Sequence, residues 1–303
     1  MNDLTTIIIA CGSPPHLFES INSVTPFCQE VVIIDIGLHE QIHAQILSVP
    51  QVRVVTELPV TYVELIREKS KNFAQTGHIL FLDPDEIIPA PLAKVIAEQY
   101  ASHSFLKIPR KNIIWGKWIS HARWWPDYQI RVFEKNSVMW PTTIHHQPQT
   151  TGTGFHIEAQ EDLAILHYNY DSIDEYLGKM IRYAKSEAQG KMINNQLYTL
   201  KDALSEGTRE FISRFFADEG YKEGMHGFAL SFLQMMYYPL VYFYLWEGKK
   251  YELVDEKDMV KTVDKFTANL SHESSHWLSE KRLIPRSRTI VSKIMRVVFK
   301  KSS

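Results

Sequence analysis

Cysteine is scarce: Cys11 and Cys28 are the only two in 303 residues. Two such positions build no disulfide framework, so a reducing compartment is the expectation. The first residues, "MNDLTTIIIACGS", lack the basic stretch and long apolar run of a secretory signal; their apolar run has strand length. No internal repeat or low-complexity segment is visible. There is no glycine-rich phosphate loop either, because "ACGSPPH" does not make one. Acid is missing from the end of the chain: residues 281–303 hold eight Lys or Arg and no Asp or Glu. The other 280 residues carry 25 basic and 35 acidic groups, a formal −10. An acidic body with a short basic tail excludes a general nucleic-acid binder and favours contact with an anionic surface, membrane headgroups first. Charge of either sign is absent from 225–246, "MHGFALSFLQMMYYPLVYFYLW".

What is present is ordinary globular material, with 45% hydrophobic residues. The first third alternates two periodicities. "LTTIIIA" (4–10), "EVVIIDIG" (30–37), "VRVVTE" (52–57) and "HILFL" (78–82) read as strands. Helical stretches separate them, the last ending near Gly77. This spacing predicts βαβ units and an α/β fold with a mostly parallel sheet flanked by helices. Ligands bind such sheets beyond the carboxyl ends of the strands, where Asp35 and Asp83 fall. The middle is rich in Trp, His and Pro, with strands "SFLKIPRKNII" and "DYQIRVFEK" flanking a loop. From Ser172, a plausible N-cap with Glu175 behind it, the pattern turns helical. The expected domains are therefore 1–170 and a helical extension, 171–303.

Within the extension, 225–246 is long enough to span a membrane. Its Gln234, Pro239 and many tyrosines favour an interface instead. The tail "RTIVSKIMRVVFKK" has a basic amphipathic pattern of the kind that lies among headgroups. A buried core helix, or contact with a second copy in a homodimer, are the other readings.

The chemistry gathers in "ILFLDPDEII". Asp83, Asp85 and Glu86 crowd three carboxylates against a buried strand. A hard divalent cation takes such oxygens and bridges phosphate, which makes Asp-x-Asp a metal and diphosphate candidate. A solvated acidic turn, with Glu86 capping the next helix, is the alternative. Arg123 and Arg131 can offer planar forks to phosphate. Trp124 and Trp125 can stack on a sugar or base, or simply pack. Asp127 can hold a sugar hydroxyl, act as base or close a turn.

The stretches "VVIIDIG", "ILFLDPDEIIP", "RKNIIWGKWISHARWWPDYQIRVFEK" and "AILHYNYDSIDEYLGKMIRYAKSEA" resemble family 2 glycosyltransferases, nearest the bacterial lipopolysaccharide-core glucosyltransferases. The resemblance spans about residues 4–190 and runs loosely on to 246. It implies a GT-A fold, an inverting mechanism, a nucleotide-diphosphate sugar donor and Mg²⁺ or Mn²⁺. It places Asp35 at the nucleobase, Asp83 at ribose or metal, and Asp85 at the metal. Gln129 joins Arg123, Trp124, Trp125 and Arg131 as donor-binding candidates, and His167 matches a histidine able to reach metal or diphosphate. Two departures stand out. "TTIHHQP" puts His146 where the family has its catalytic Glu, and "CGSPPH" replaces an Asn-Glu pair. A neutral histidine can accept a proton near pH 7, so Asp127 and His146 are the candidate bases. The expectation is a cytoplasmic, peripheral-membrane transferase with a lipid-linked or lipopolysaccharide acceptor. A degenerate sugar-nucleotide binder and a nucleotidyltransferase are the alternatives.

Overall fold

The computed structural model describes residues 3–60, 63–141 and 148–284. His145, His146 and the basic tail from 285 onward lie outside the described residues, and the roles expected of them stay expectations. The chain divides into two compact units, 1–118 with 125–169, and 119–124 with 170–303. Residues 119–124, which the sequence assigns to the first domain, group with the helices.

The first unit opens with β1 (Leu4–Gly12), α1 (Leu17–Val24), β2 (Glu30–Leu38), α2 (Glu40–Leu47), β3 (Val52–Thr56), α3 (Glu64–Ser70) and β4 (His78–Leu82). A two-residue β5 (Glu86–Ile87) precedes α4 (Ala90–Gln99). Then come β6 (Phe105–Ile114), β7 (Lys117–Trp118), β8 (Asp127–Glu134), β9 (Val138–Met139), β10 (Gln149–Thr150), β11 (Gly154–His156) and β12 (Ile165–Tyr170). The main sheet runs β3-β2-β1-β4-β8-β6-β12-β5. β1 to β4 are parallel, and β8 is antiparallel to both β4 and β6.

The central strands are buried on both faces, which is why they read as unbroken apolar runs. Leu4, Ile8 and Ala10 of β1 meet Leu17 and Ile21 of α1 in one core, while Ile7 and Ile9 join Ile66, Phe81 and Phe133 in another. Two expectations change in detail. α3 ends at Ser70 and a 3₁₀ turn, Lys71–Phe73, closes it before Gly77. Glu86 does not cap α4, whose N-cap is Pro89; it is fully buried.

The second unit holds α5 (Ile173–Ile193), α6 (Leu200–Ile212), α7 (Met225–Gly248) and α8 (Glu256–Glu280). Ser172 caps α5 by accepting from the Glu175 N–H, and Glu175 in turn accepts from the Asp171 N–H. α7 packs on α5 through Ala184, Ala188, Val241 and Leu245, and on α6 where Gly207 meets the Met235 backbone. At its start Gly227 lies so close to Gly220 that a Cβ would run into the Gly220 carbonyl oxygen. Gly227→Ala is therefore expected to destabilise by about 3 kcal/mol, read by urea denaturation. An unchanged midpoint would mean the two segments are not this close.

Candidate active site

The strand order places the site. The chain builds β1, β2 and β3 outward in one direction, then returns to lay β4 against the other side of β1. The crevice beyond the carboxyl ends of β1 and β4 is thus a topological switch point, where open α/β sheets bind ligands. Asp83-Pro84-Asp85 is the turn leaving β4 there. Ser20 of α1 donates to the Pro84 carbonyl (3.0 Å), and the Tyr168 N–H of β12 donates to the Asp85 carbonyl (2.9 Å).

Three arginines answer the crowded acids. Arg131 of β8 uses one nitrogen, Nη2, to bond both Asp83 Oδ2 and Glu86 Oε1. Arg67 of α3 donates to Asp83 Oδ1 (3.0 Å), with its guanidinium 4.9 Å from the centre of the Trp140 ring. Arg110 of β6 bridges Glu86 (3.1 Å) and Asp127 (2.9 Å from Nε). Arg131 reaches inward because the β6–β8 register slips: Leu106 pairs Val132 and Lys107 pairs Ile130, which leaves Arg131 without a partner on β6. Such irregularities re-aim a side chain, and here the chain turns an arginine onto buried carboxylates.

The charges set the acidities. Burial works to raise the Asp83 carboxyl, but Arg131, Arg67 and Arg110 outweigh it and hold it well below the usual carboxylate range. Burial likewise opposes the ionised Asp127, yet Arg110 and hydrogen bonds from Arg110, Gln129 and Asn112 lower it. A carboxylate held this way is a poor proton acceptor.

Asp85 differs from its neighbours. Its Oδ1 is buried and has no hydrogen-bond partner. Its Oδ2 faces His167 Nε2 at 3.6 Å. The other ring nitrogen, Nδ1, lies 2.6 Å from Asn112 Oδ1, while Asn112 Nδ2 donates to Asp127 (3.3 Å). With the amide oriented by that network, Oδ1 can only accept. Nδ1 therefore carries the hydrogen, and Nε2 turns its lone pair toward a carboxylate. That pairing is unfavourable unless a proton or a cation lies between them. A proton makes the pair an ion pair; a divalent cation could instead be held by the carboxylate and imidazole, with Asn112 fixing the histidine from behind. Among the described residues no group of three or more His, Cys, Asp or Glu converges as ligands. A site with two protein donors would leave its remaining positions to waters and phosphate oxygens.

The remaining predicted residues are occupied elsewhere or support the cluster from its edge. Asp35 ends β2, and its oxygens accept from the Gly37 and Leu38 N–H groups (2.8 and 2.7 Å) and meet His43 Nδ1 at 2.6 Å. Burial opposes its ionisation, but these partners lower it, so it holds its own loop. Gln129 donates to Asp127 (2.8 Å), and Trp125 packs edge-on against Trp118 (5.5 Å). Arg123 and Trp124 are not brought to this cluster within the first unit. In the helical unit Arg123 pairs with Glu210 (2.9 Å) and Asp218 (3.2 Å), and Arg214 lies over Trp124 at 5.6 Å. Sequence reasoning missed Arg67, Arg110 and Asn112. Arg110 sits in the polar phase of a readable strand; Arg67 lies on an amphipathic helix with nothing to mark it.

The arrangement defines a mixed α/β protein with an arginine-balanced acidic cluster at the carboxyl edge of its parallel strands. The sequence matches no protein-family model. Among solved structures it is similar to S. aureus TarS 1-349, with 12% identity, a TM-score of 0.41, and 84% of this chain and 93% of that one covered. It is also similar to the bifunctional IspDF from Campylobacter jejuni, with 9% identity, a TM-score of 0.38, and 55% of this chain covered. The chain spans about half of that protein, 52%. Similarity at this level carries no functional information.

Proposed function

We propose that this chain is an inverting transferase that takes a nucleotide-diphosphate sugar and passes the sugar to a lipid-linked or polysaccharide acceptor. The observation that carries the reading is Asp85 at the switch point of the sheet: its Oδ1 is buried and unpartnered, and its Oδ2 faces His167 Nε2 at 3.6 Å. Asp85 and His167 would hold Mg²⁺ or Mn²⁺. When bound, the ion offsets the negative charge of the diphosphate leaving group.

The protein's own groups divide the remaining work. Arg67 and Asp83 form the more open edge of the cluster, so Arg67 can turn from Asp83 to a phosphate without unpairing Glu86, which Arg131 and Arg110 keep. Asp127, kept ionised by Arg110, suits a hydrogen bond from a sugar hydroxyl better than proton removal. Proton acceptance from the acceptor hydroxyl is then assigned to His146.

The test is a thermal-shift panel of UDP-, GDP- and dTDP-sugars, each with and without Mn²⁺. One donor is expected to stabilise the chain only with metal, by about 2.7 kcal/mol at a hundred times its dissociation constant. Asp85→Ala is expected to abolish that response. Silence toward every nucleotide sugar sinks the proposal. Turnover lost in His146→Ala, with donor binding kept, separates an enzyme from a sugar-nucleotide binder.

A further inference from the structure

We propose that the exposed stripe of α7 is a docking face for an anionic lipid bilayer, on which the helical unit lies without crossing it. The inference stands on the helical unit alone and does not depend on the transferase reading. Among the described residues, 21 large apolar side chains are exposed, and 17 of them belong to this unit. Six lie on α7: Met225, Phe228, Phe232, Met236, Phe243 and Trp246. At helical spacing they fall within an arc of about 80° and run for about 32 Å. Single exposed apolar residues are ordinary, but six on one arc, interrupted only by the buried Pro239, mark an interaction face.

The rest of the helix is committed to the protein. Leu230, Val241 and Leu245 are buried, and Tyr176 of α5 donates to Gln234 (3.1 Å). A third of the most apolar 18-residue window, 33%, is buried inside the unit. A helix packed along one side and mostly exposed along the other, with only Pro239 buried there, has the form of an in-plane helix, not of a span.

Charge decides between a bilayer and a second copy of the chain. Lys281 opens the basic tail, and its ammonium meets the Ala217 carbonyl (3.2 Å) and Glu219 (3.4 Å). These belong to the segment that leads directly into α7, so Lys281 lies against the stretch that precedes Met225. The sequence after Ile284 adds six Lys or Arg and no acid. Concentrated positive charge in the chain that carries an apolar face disfavours a second copy of itself and attracts anionic headgroups. At the other end Trp246 and Tyr251 sit edge to face at 5.1 Å, the ring types that settle at headgroup depth.

The test uses the full chain and vesicles of phosphatidylcholine with or without phosphatidylglycerol. Co-sedimentation is expected with the mixed vesicles and roughly tenfold weaker binding to phosphatidylcholine alone. Phe232→Ser with Phe243→Ser is expected to weaken mixed-vesicle binding by roughly tenfold more while circular dichroism stays unchanged. Should the pair fail to fold, acyl-brominated lipids provide a second readout: they are expected to quench the tryptophan emission, and Trp246→Phe to reduce that quenching. The proposal is overturned by vesicle binding that ignores the phenylalanine pair, by quenching that ignores Trp246, or by no binding to either vesicle. A stable dimer in light scattering that the pair dissociates would assign the stripe to a second copy instead.

Discussion

Arg131→Met is expected to lower the unfolding free energy by roughly 3–5 kcal/mol, the usual result of removing one partner from a buried ionic cluster. Arg131 is 2% exposed and Glu86 is 0% exposed, so neither charge has water to fall back on. One guanidinium nitrogen serves both Asp83 and Glu86, and Arg110 reaches Glu86 only through a single further bond at 3.1 Å. Methionine fills the volume but leaves Glu86 with Arg110 and the Asp83 N–H, and takes from the Asp83 side chain one of its two arginines. Urea denaturation at neutral pH reads the loss, and Arg131→Met with Glu86→Leu is expected to recover a large part of it. A variant as stable as the parent would show that the cluster contributes nothing.

The pH dependence has a defined sign. The folded Asp83 carboxyl lies below its ordinary value of 3.8. Its contribution is therefore complete above that value and is lost as the pH falls from about 4 toward the depressed folded value. Arg131→Met removes the largest cause of the depression. The stability gap between parent and variant should accordingly narrow on acidification below about pH 4. A gap that widens would contradict the assignment.

Asp85→Asn is expected to reduce sugar transfer by roughly a hundred- to a thousandfold, the scale on which loss of a preorganised electrostatic group acts. Stability should move the other way or not at all. Asp85 leaves one oxygen unpartnered and follows Asp83 and precedes Glu86 in the same turn, so removing its charge relieves repulsion in the ligand-free protein. An amide in its place can also donate to a neighbouring carboxylate. The measurements are transfer rate with the donor identified by thermal shift, and the melting temperature without ligand. Full activity in the variant would remove Asp85 from the reaction. A large fall in melting temperature would recast it as a structural residue.

Much of the framework is legible in the sequence. β1, β2 and β4 announce themselves because a strand buried on both faces needs β-branched and apolar residues at nearly every position. "DYQIRVFEK" and "SFLKIPRKNII" are equally readable, and they are β8 and β6 almost residue for residue. Helix ends are less so: α3 stops at Ser70 because a 3₁₀ turn intervenes, and no residue type demands that turn. At the site, the acids are visible because three carboxylates at the end of an apolar run contradict the core around them. Their partners are not. Arg67, Arg110 and Arg131 are ordinary surface residue types, and they become buried counter-charges only when α3, β6 and β8 converge. Asp127 and Arg123 read alike as loop functionalities. Folding ties the first to Arg110 and carries the second onto Glu210 and Asp218 in the helical unit.

By itself, then, the amino-acid order determined the α/β alternation, the strand-ending acids, the apolar segment 225–246 and the charge asymmetry of the tail. Each is a local property, set by side-chain volume, branching and charge along a few consecutive residues. Tertiary structure alone decided which acids are neutralised and which is not. That outcome depends on strand order and on a one-residue slip opposite Leu106 and Lys107, which aims Arg131 at Asp83 and Glu86 and leaves Asp85 to His167. Register is a relation between distant segments, and the electrostatic energy that comes from it exists only once those segments exclude water together.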